Sequence, residues 1–476
     1  MKDRTNEESL DPTPGDLPVT AGRPGSGSAR CGGKNGGAPV DPDALFSQVL
    51  DSANLSLAWK QVKANKGAPG IDGMTIDDFP AFARQHWERI RSQLSEGTYA
   101  PAPVRRVFIP KPDGSQRPLG VPTVLDRVIQ QAIAQVLTPL YDGDFSQHSY
   151  GFRAGRNAHQ AVRQVEAGWK RKRRHAVDCD LKAFFDTVNH DRLLTRLREK
   201  IGGGKLLRLI GRYLRAGVEL PDGSREATPL GVPQGGPLSP LLANIVLDPL
   251  DKELERRGHI FARYADDFLI LVRSAKAAER VMGGVTSYVE KKLGLIVNRA
   301  KSKSAPLAEC TFLGFQISSR GKVKWSEKSF LRFKQRVREI TKRNRGQNTE
   351  FVIDELRRYV TGWMNYFGIS HTYAAVLELD EWIRRRVRLY HWKQWQRPRA
   401  RRRNLIKLGI NPKEVHRASR SRKGYWRMSQ NSLVRFALNN RYLKEQGVPE
   451  LRDIWIQLHA GDKPNSQRKA GELPHV

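Results

Sequence analysis

The chain reads as an α+β unit followed by a basic helical one, and three observations lead there. Apolar and β-branched residues flank a pair of aspartates in FARYADDFLILV (261–272), a second short apolar strand runs into acids in AVDCDLKAFFDTV (176–188), and from about residue 325 the sequence turns helical and strongly basic. The first pattern is that of a strand, a tight turn and a second strand. In the second, the strand ends at Asp178 and Asp180 and a helix-like segment follows from Phe184.

Taken in order, residues 1–40 contain no aromatic residue, and GRPGSGSARCGGKNGGAP from Gly22 is flexible by composition, so 1–43 is expected to be a disordered arm. From about 44 to 320 apolar strands alternate with amphipathic helices. Ser274 reads as an N-cap, with Ala277, Val281, Val285 and Val289 recurring every fourth residue behind it, although Gly283 and Gly284 weaken that helix. Residues 321–440 hold 30 Lys and Arg against 9 Asp and Glu, and seven of the ten tryptophans lie from Trp325 onward. A helical region is expected over 326–410, a further basic region over 411–460 and a disordered tail over 461–476.

Charge bounds the function. The 83 basic and 49 acidic residues leave a net +34, an excess that calls for a polyanion partner, most simply nucleic acid. Cys31, Cys179 and Cys310 show no metal-ligand spacing, which fits a reducing cytoplasm, and no apolar run reaches membrane-spanning length. Arg384, Arg385, Arg386, Lys393, Arg401, Arg402 and Arg403 interleave with Trp382, Trp392 and Trp395, a pattern in which cations neutralise phosphates and rings stack on unpaired bases. The tryptophans taken one by one read better as core.

The acids point to chemistry. Adjacent carboxylates at a hairpin turn repel, and a divalent cation with a preference for hard oxygen ligands removes the repulsion. A carboxylate on a neighbouring strand would complete a set able to hold two ions about 4 Å apart, the arrangement used for in-line phosphoryl transfer. Asp180 is the candidate, with Asp178 and Asp186 competing; either competitor could cap the helix or be solvated.

Eight blocks then resemble, in order, the bacterial group II intron-encoded reverse transcriptase/maturase family over roughly residues 44–455. They are NKGAPGIDGMTIDDF (65–79), IPKPDGSQRPLGVPTVLDRVIQQAI (109–133), SQHSYGFRAGRNAHQAV (146–162), VDCDLKAFFDTVNHDRLL (177–194), GVPQGGPLSPLLANIVLDPLD (231–251), RYADDFLILV (263–272), LGLIVNRAKSK (293–303) and FLGFQI (312–317). The tail, with RKGYWRMS (422–429), is similar to the class C branch. The resemblance implies a right-hand polymerase fold with fingers (44–175), a palm with an antiparallel sheet (176–320) and a helical thumb (326–410). It implies RNA-directed DNA synthesis from dNTPs on a primed RNA template with two Mg²⁺ ions, binding of intron RNA and target DNA, and assistance to splicing and mobility.

Residue by residue, Asp180, Asp266 and Asp267 match the family's metal-binding aspartates. Lys111 and Arg117 match the residues that clamp the triphosphate, Gln234 the residue packed against the incoming nucleotide, and Lys301 the lysine near the leaving pyrophosphate. Phe184 or Phe185 matches the bulky ring that excludes a ribose 2′-OH. The glycines of Pro233-Gln234-Gly235-Gly236 would let backbone approach the primer–template. The endonuclease domain of longer relatives is expected to be absent. Rival expectations are a domesticated reverse transcriptase without an intron, an RNA-binding splicing factor with an inactive polymerase, and, more weakly, a DNA-templated polymerase.

Overall fold

The computed structural model describes residues 41–110, 114 and 116–460. They divide into two compact units, the chain passing from the first to the second between Phe312 and Leu313. Most of the expected arm and all of the expected tail lie outside the described residues, as does Lys111. Residues 41–43, assigned to the arm on composition, instead open the helix Pro42–Val49, whose N-cap Asp41 accepts a hydrogen bond from the Asp43 amide.

The first unit holds eight strands: β1 (Val104–Pro110), β2 (Gln116–Val121), β3 (His175–Cys179), β4 (Val218–Glu219), β5 (Arg225–Glu226), β6 (Ile260–Tyr264), β7 (Asp267–Val272) and β8 (Lys303–Pro306). One sheet runs β2-β1-β4-β5, with β1 and β2 forming an antiparallel hairpin closed at Pro110 opposite Gln116. The other runs β6-β7-β3-β8, antiparallel throughout.

Side chains alternate between the faces of that second sheet. Val177, Cys179, Phe268, Ile270 and Val272 join the main core, together with Ala278, Val281 and Val285 of the helix Ala275–Tyr288. Ser274 caps that helix through the Ala277 amide, so the two glycines inside it do not break it. On the opposite face the helix Ala158–Lys170 lies over one end, where a Cβ on Gly168 would meet Leu271 at 2.2 Å. The other end of this face carries the acids.

The second unit begins with the hairpin β9 (Phe315–Ile317) and β10 (Val323–Trp325), so FLGFQI is divided from the palm sheet rather than being part of it. Long helices follow at Glu327–Ile340, Thr349–Phe367 and Tyr373–Gln394, then shorter ones to Ala460. Its core is aromatic: the Phe333 and Trp363 rings are 4.3 Å apart, Trp325 and Trp363 4.8 Å, and the Trp325 indole donates to the Phe367 carbonyl. Trp325, Trp363 and Trp392 are buried, as expected for core tryptophans, whereas Trp426 is exposed.

Candidate active site

β6 and β7 form the expected hairpin. Tyr264 pairs with Asp267, leaving Ala265 and Asp266 as a two-residue turn with Ala265 in the left-handed region at φ 59°. β3 lies beside β7, with Cys179, its last residue, opposite Phe268; Asp180 follows directly, and its charge acts on Asp267. Opposed residues of an antiparallel pair share a face, so Asp178, opposite Leu269, projects to the same side as Asp267.

Their charges are felt. Burial first, then the like charges of Asp178, Asp266 and Asp180, push Asp267 up to about 7. Burial also raises Asp266, against the pull of the Arg117 cation, and raises Asp178, against Lys303 on β8. Asp178 therefore belongs to the acidic cluster and neither caps a helix nor stands apart in solvent. Asp186 is exposed on the short helix Phe184–Thr187 and is not among the charges acting on Asp267. Among the described residues no three His, Cys, Asp or Glu side chains form a ready-made metal cage. The donor set nevertheless suits a hard divalent cation: carboxylate oxygens whose mutual repulsion such an ion would relieve.

Asp180 is held from the LGLIVNRAKSK segment. The Asn298 amide nitrogen donates to Asp180 Oδ2 at 2.8 Å, the Asn298 backbone N–H to the Asp180 carbonyl at 2.8 Å, and the Asp180 N–H to Ser302 Oγ at 3.0 Å. Lys301, the expected cation of this segment, is exposed. Asn298 and Ser302 escaped the sequence reading because they flank the more conspicuous lysine.

The hairpin turn is braced from beneath by Arg263, fully buried on β6. Its Nε donates to Asp251 at 2.8 Å, Nη2 to Asp251 at 2.5 Å and to Ser149 Oγ at 2.7 Å, and Nη1 to Asn244 Oδ1 at 3.0 Å and to the Ala265 carbonyl at 2.9 Å. Asn244 in turn donates to the Gly151 carbonyl, and a Cβ on Gly151 would stand 2.3 Å from the Ala265 nitrogen. The SQHSYGFR segment is thus a backing plate for the turn. The available signal was an arginine set between apolar residues of a strand that has no wet face.

Arg117 on β2 and Gln234 meet directly: Arg117 Nε donates to Gln234 Oε1 at 3.1 Å, and the Gly120 N–H donates to the Gln234 carbonyl at 2.7 Å. The glycines of this loop have an internal reason. Gly235 sits at φ 119° with the Gly120 carbonyl 2.6 Å from any added Cβ, and a Cβ on Gly236 would meet the Gln130 amide, so their smallness is already used inside the protein. Phe184 and Phe185 stack edge-to-face at 5.1 Å and both rings are core, 2% and 9% exposed.

The candidate RNA-binding arginines of the second unit separate into two kinds. Arg386 donates to Thr341 Oγ1 and to the Arg338 and Thr341 carbonyls. Arg401 is buried, donating to the Trp395 carbonyl over the Trp392 ring, and Arg385 lies 3.6 Å over Trp426. Arg384 faces Asp380 at 4.0 Å, and Lys393 lies 5.5 Å over the Tyr425 ring. Only Arg402 and Arg403 of this set are exposed. The buried members cross-link helices, because a guanidinium offers several N–H donors to carbonyls that no backbone amide reaches.

Residues 109–317 match the reverse transcriptase (RNA-dependent DNA polymerase) family, and residues 330–409 match the group II intron maturase-specific domain. Protein YkfC of Escherichia coli (strain K12) is 32% identical over 310 residues, covering 56% of this chain and 81% of YkfC. The chain belongs to the group II intron-encoded reverse transcriptase/maturase family. Group II intron-encoded protein LtrA of Lactococcus lactis subsp. cremoris is 38% identical over 277 residues, covering 56% of this chain and 45% of LtrA. A putative COX1/OXI3 intron 1 protein of Saccharomyces cerevisiae is 31% identical over 216 residues, covering 44% of this chain and 25% of that one. The chain thus spans less than half the length of LtrA and of the yeast protein. A reverse transcriptase domain of this family implies a divalent-metal-dependent polymerase, and the maturase-specific domain implies binding of intron RNA. Among the described residues no helix is long and apolar enough to cross a membrane.

Proposed function

We propose that this reverse transcriptase/maturase copies RNA into DNA from dNTPs at the acidic end of the β6-β7-β3-β8 sheet, and that it binds a group II intron RNA, assisting its splicing and mobility. The observation that carries the proposal is the gathering of the Asp178, Asp180 and Asp266 charges around the buried Asp267, with the Arg117–Gln234 pair acting on Asp266. RNA binding alone needs no such concentration of negative charge in a chain of net +34.

In this reading the first unit supplies fingers and palm, residues 326–410 the thumb and maturase region, and 411–460 a further RNA-binding region. Asp180, Asp266 and Asp267 would hold Mg²⁺, which when bound supplies positive charge to acidify the primer 3′-hydroxyl and to balance the departing pyrophosphate. Asn298 and Ser302 fix Asp180, and Arg263 fixes the turn, so the carboxylates are positioned before substrate arrives. Arg117, with Lys111 near it in sequence, offers a two-pronged cation to the triphosphate, and Gln234 holds that guanidinium at the mouth of the site. Lys301 stands ready as a further cation for the pyrophosphate. Phe185, 9% exposed against 2% for Phe184, is the more accessible ring to exclude a ribose 2′-OH.

Primer extension on an RNA template, run beside assisted splicing at low Mg²⁺, tests both halves. Asp267→Ala is expected to abolish cDNA synthesis and leave intron RNA affinity and splicing within a few-fold of wild type. Residual extension above a tenth of wild type removes Asp267 from the site, and a parallel loss of splicing refutes the separation of the two activities.

A further inference from the structure

The second unit contains a cavity of about 730 Å³ that the candidate RNA-binding residues do not line. It is lined by Arg388, from the helix Tyr373–Gln394, together with Arg435, Phe436, Gln430 and Asn440, and it is open to solvent. Arg388 is 8% exposed, yet its partners are neutral: Nε donates to the Leu438 carbonyl at 2.8 Å and Nη2 to Asn440 Oδ1 at 3.2 Å. Among the described residues no carboxylate stands within ion-pair distance of it. Burial, reinforced by the like charges of Arg384 and Arg435 against the weaker opposing effect of Glu381, pushes its guanidinium down to about 10. A buried cation with like charges near it and only dipoles for partners, lining an open cavity, is placed to accept an anion.

Phe436 adds a second, independent feature. Phe436 is 66% exposed, the highest fraction among the large hydrophobic residues of the described chain, and it lines this same cavity. Because Asn440 Oδ1 is occupied by Arg388, its amide nitrogen is left to donate elsewhere, and the Gln430 amide at the rim is likewise exposed. An aromatic face, two amides and a recessed cation within one small cavity match the parts of a single nucleotide: base, base edge or sugar, and phosphate. A paired base is already stacked on both sides and has no face for the ring.

We propose that this cavity binds one unpaired nucleotide of the intron RNA, its base stacked on Phe436 and its phosphate seated between Arg388 and Arg435. The choice of RNA rests on the intron-RNA reading above, since Arg388 lies within the residues that match the maturase-specific domain.

The test uses the full-length chain and a short unstructured RNA oligonucleotide carrying 2-aminopurine at successive positions, with DNA of the same sequence, duplex RNA and an acidic peptide as competitors. Phe436→Ala and Arg435→Gln alter exposed side chains, and unchanged melting curves show that both variants fold. Expected are quenching of one 2-aminopurine on binding, its loss with about tenfold weaker affinity in Phe436→Ala, and retention in Phe436→Trp. Arg435→Gln should reduce the slope of log K against log salt by about 0.7. Unchanged affinity and quenching in both folded variants overturn the site while the intron-RNA reading stands; a wild-type chain that ignores RNA overturns both. Equal or tighter binding of the DNA, equal competition by duplex RNA, or displacement by the acidic peptide at lower concentration than by RNA each also overturns it.

Discussion

Replacing Arg263 with methionine would strand Asp251, which like Arg263 is fully buried, without a counter-charge. Breaking such a pair from one side costs about 3–5 kcal/mol, because the remaining charge has lost both its partner and its water. The same change frees the Ala265 carbonyl, which Arg263 holds at 2.9 Å, and so releases a turn whose left-handed alanine needs external support. The two effects can be separated. In Arg263→Met/Asp251→Leu no charge is stranded, and apolar replacement of a buried pair is close to neutral, so most of the lost stability should return. The turn, however, remains unanchored. Denaturant unfolding is expected to show a large loss in the single variant and a recovery of at least half in the double one. Primer extension should stay depressed in both. A double variant no more stable than the single one refutes the stranded-charge reasoning, and a double variant that extends primers at the wild-type rate refutes the anchoring role.

Other outcomes follow from the same geometry. Asp180→Asn and Asp267→Asn should each lower single-turnover primer extension on the order of a thousandfold, whereas Asp186→Asn should stay within a few-fold. Asn298→Asp, which sets another carboxylate against Asp180, should reduce extension more than Asn298→Ala. His391 is buried, with its pKa pushed down from 6.5 to about 4. The unfolded chain therefore binds the extra proton between those values, and stability falls as pH drops through that window, by up to about 3 kcal/mol; denaturant unfolding of His391→Leu should lack this loss. Arg401→Gln should lower the melting temperature, while Arg402→Gln/Arg403→Gln should leave it in place and flatten the salt dependence of RNA binding.

The hairpin was legible because two signals coincided: apolar and β-branched runs on both sides marked the strands, and the two acids between them marked the turn. Asp180 followed, since a short apolar run ending in acid has few places to go in an antiparallel sheet. The residues that hold these acids were not legible. Arg263 stood out only as an arginine among apolar strand residues, and nothing in the sequence joined it to Asp251, twelve positions away on the preceding helix. Asn298 lies 118 residues from Asp180, a separation over which composition carries no information. The glycines around Gln234 were read toward a ligand, whereas Gly235 is required by the Gly120 carbonyl.

The basic half of the chain shows why charge indicates a partner class but not a footprint. An arginine counts as +1 in the sequence whether its guanidinium faces solvent or spans two helices. Arg386 and Arg401 are spent on carbonyls inside the second unit, so their charges contribute to the net +21 of residues 321–440 without presenting a surface to phosphate. Replacing Arg384, Arg385 and Arg386 together would consequently disturb helix packing before it reported on RNA. Arg388 has neutral partners too, but it differs in lining a cavity open to solvent, where an anion can reach its charge. In a strongly basic protein the informative arginine is neither the most exposed nor the most clustered. It is the one whose surroundings leave a charge unanswered where a phosphate can reach it.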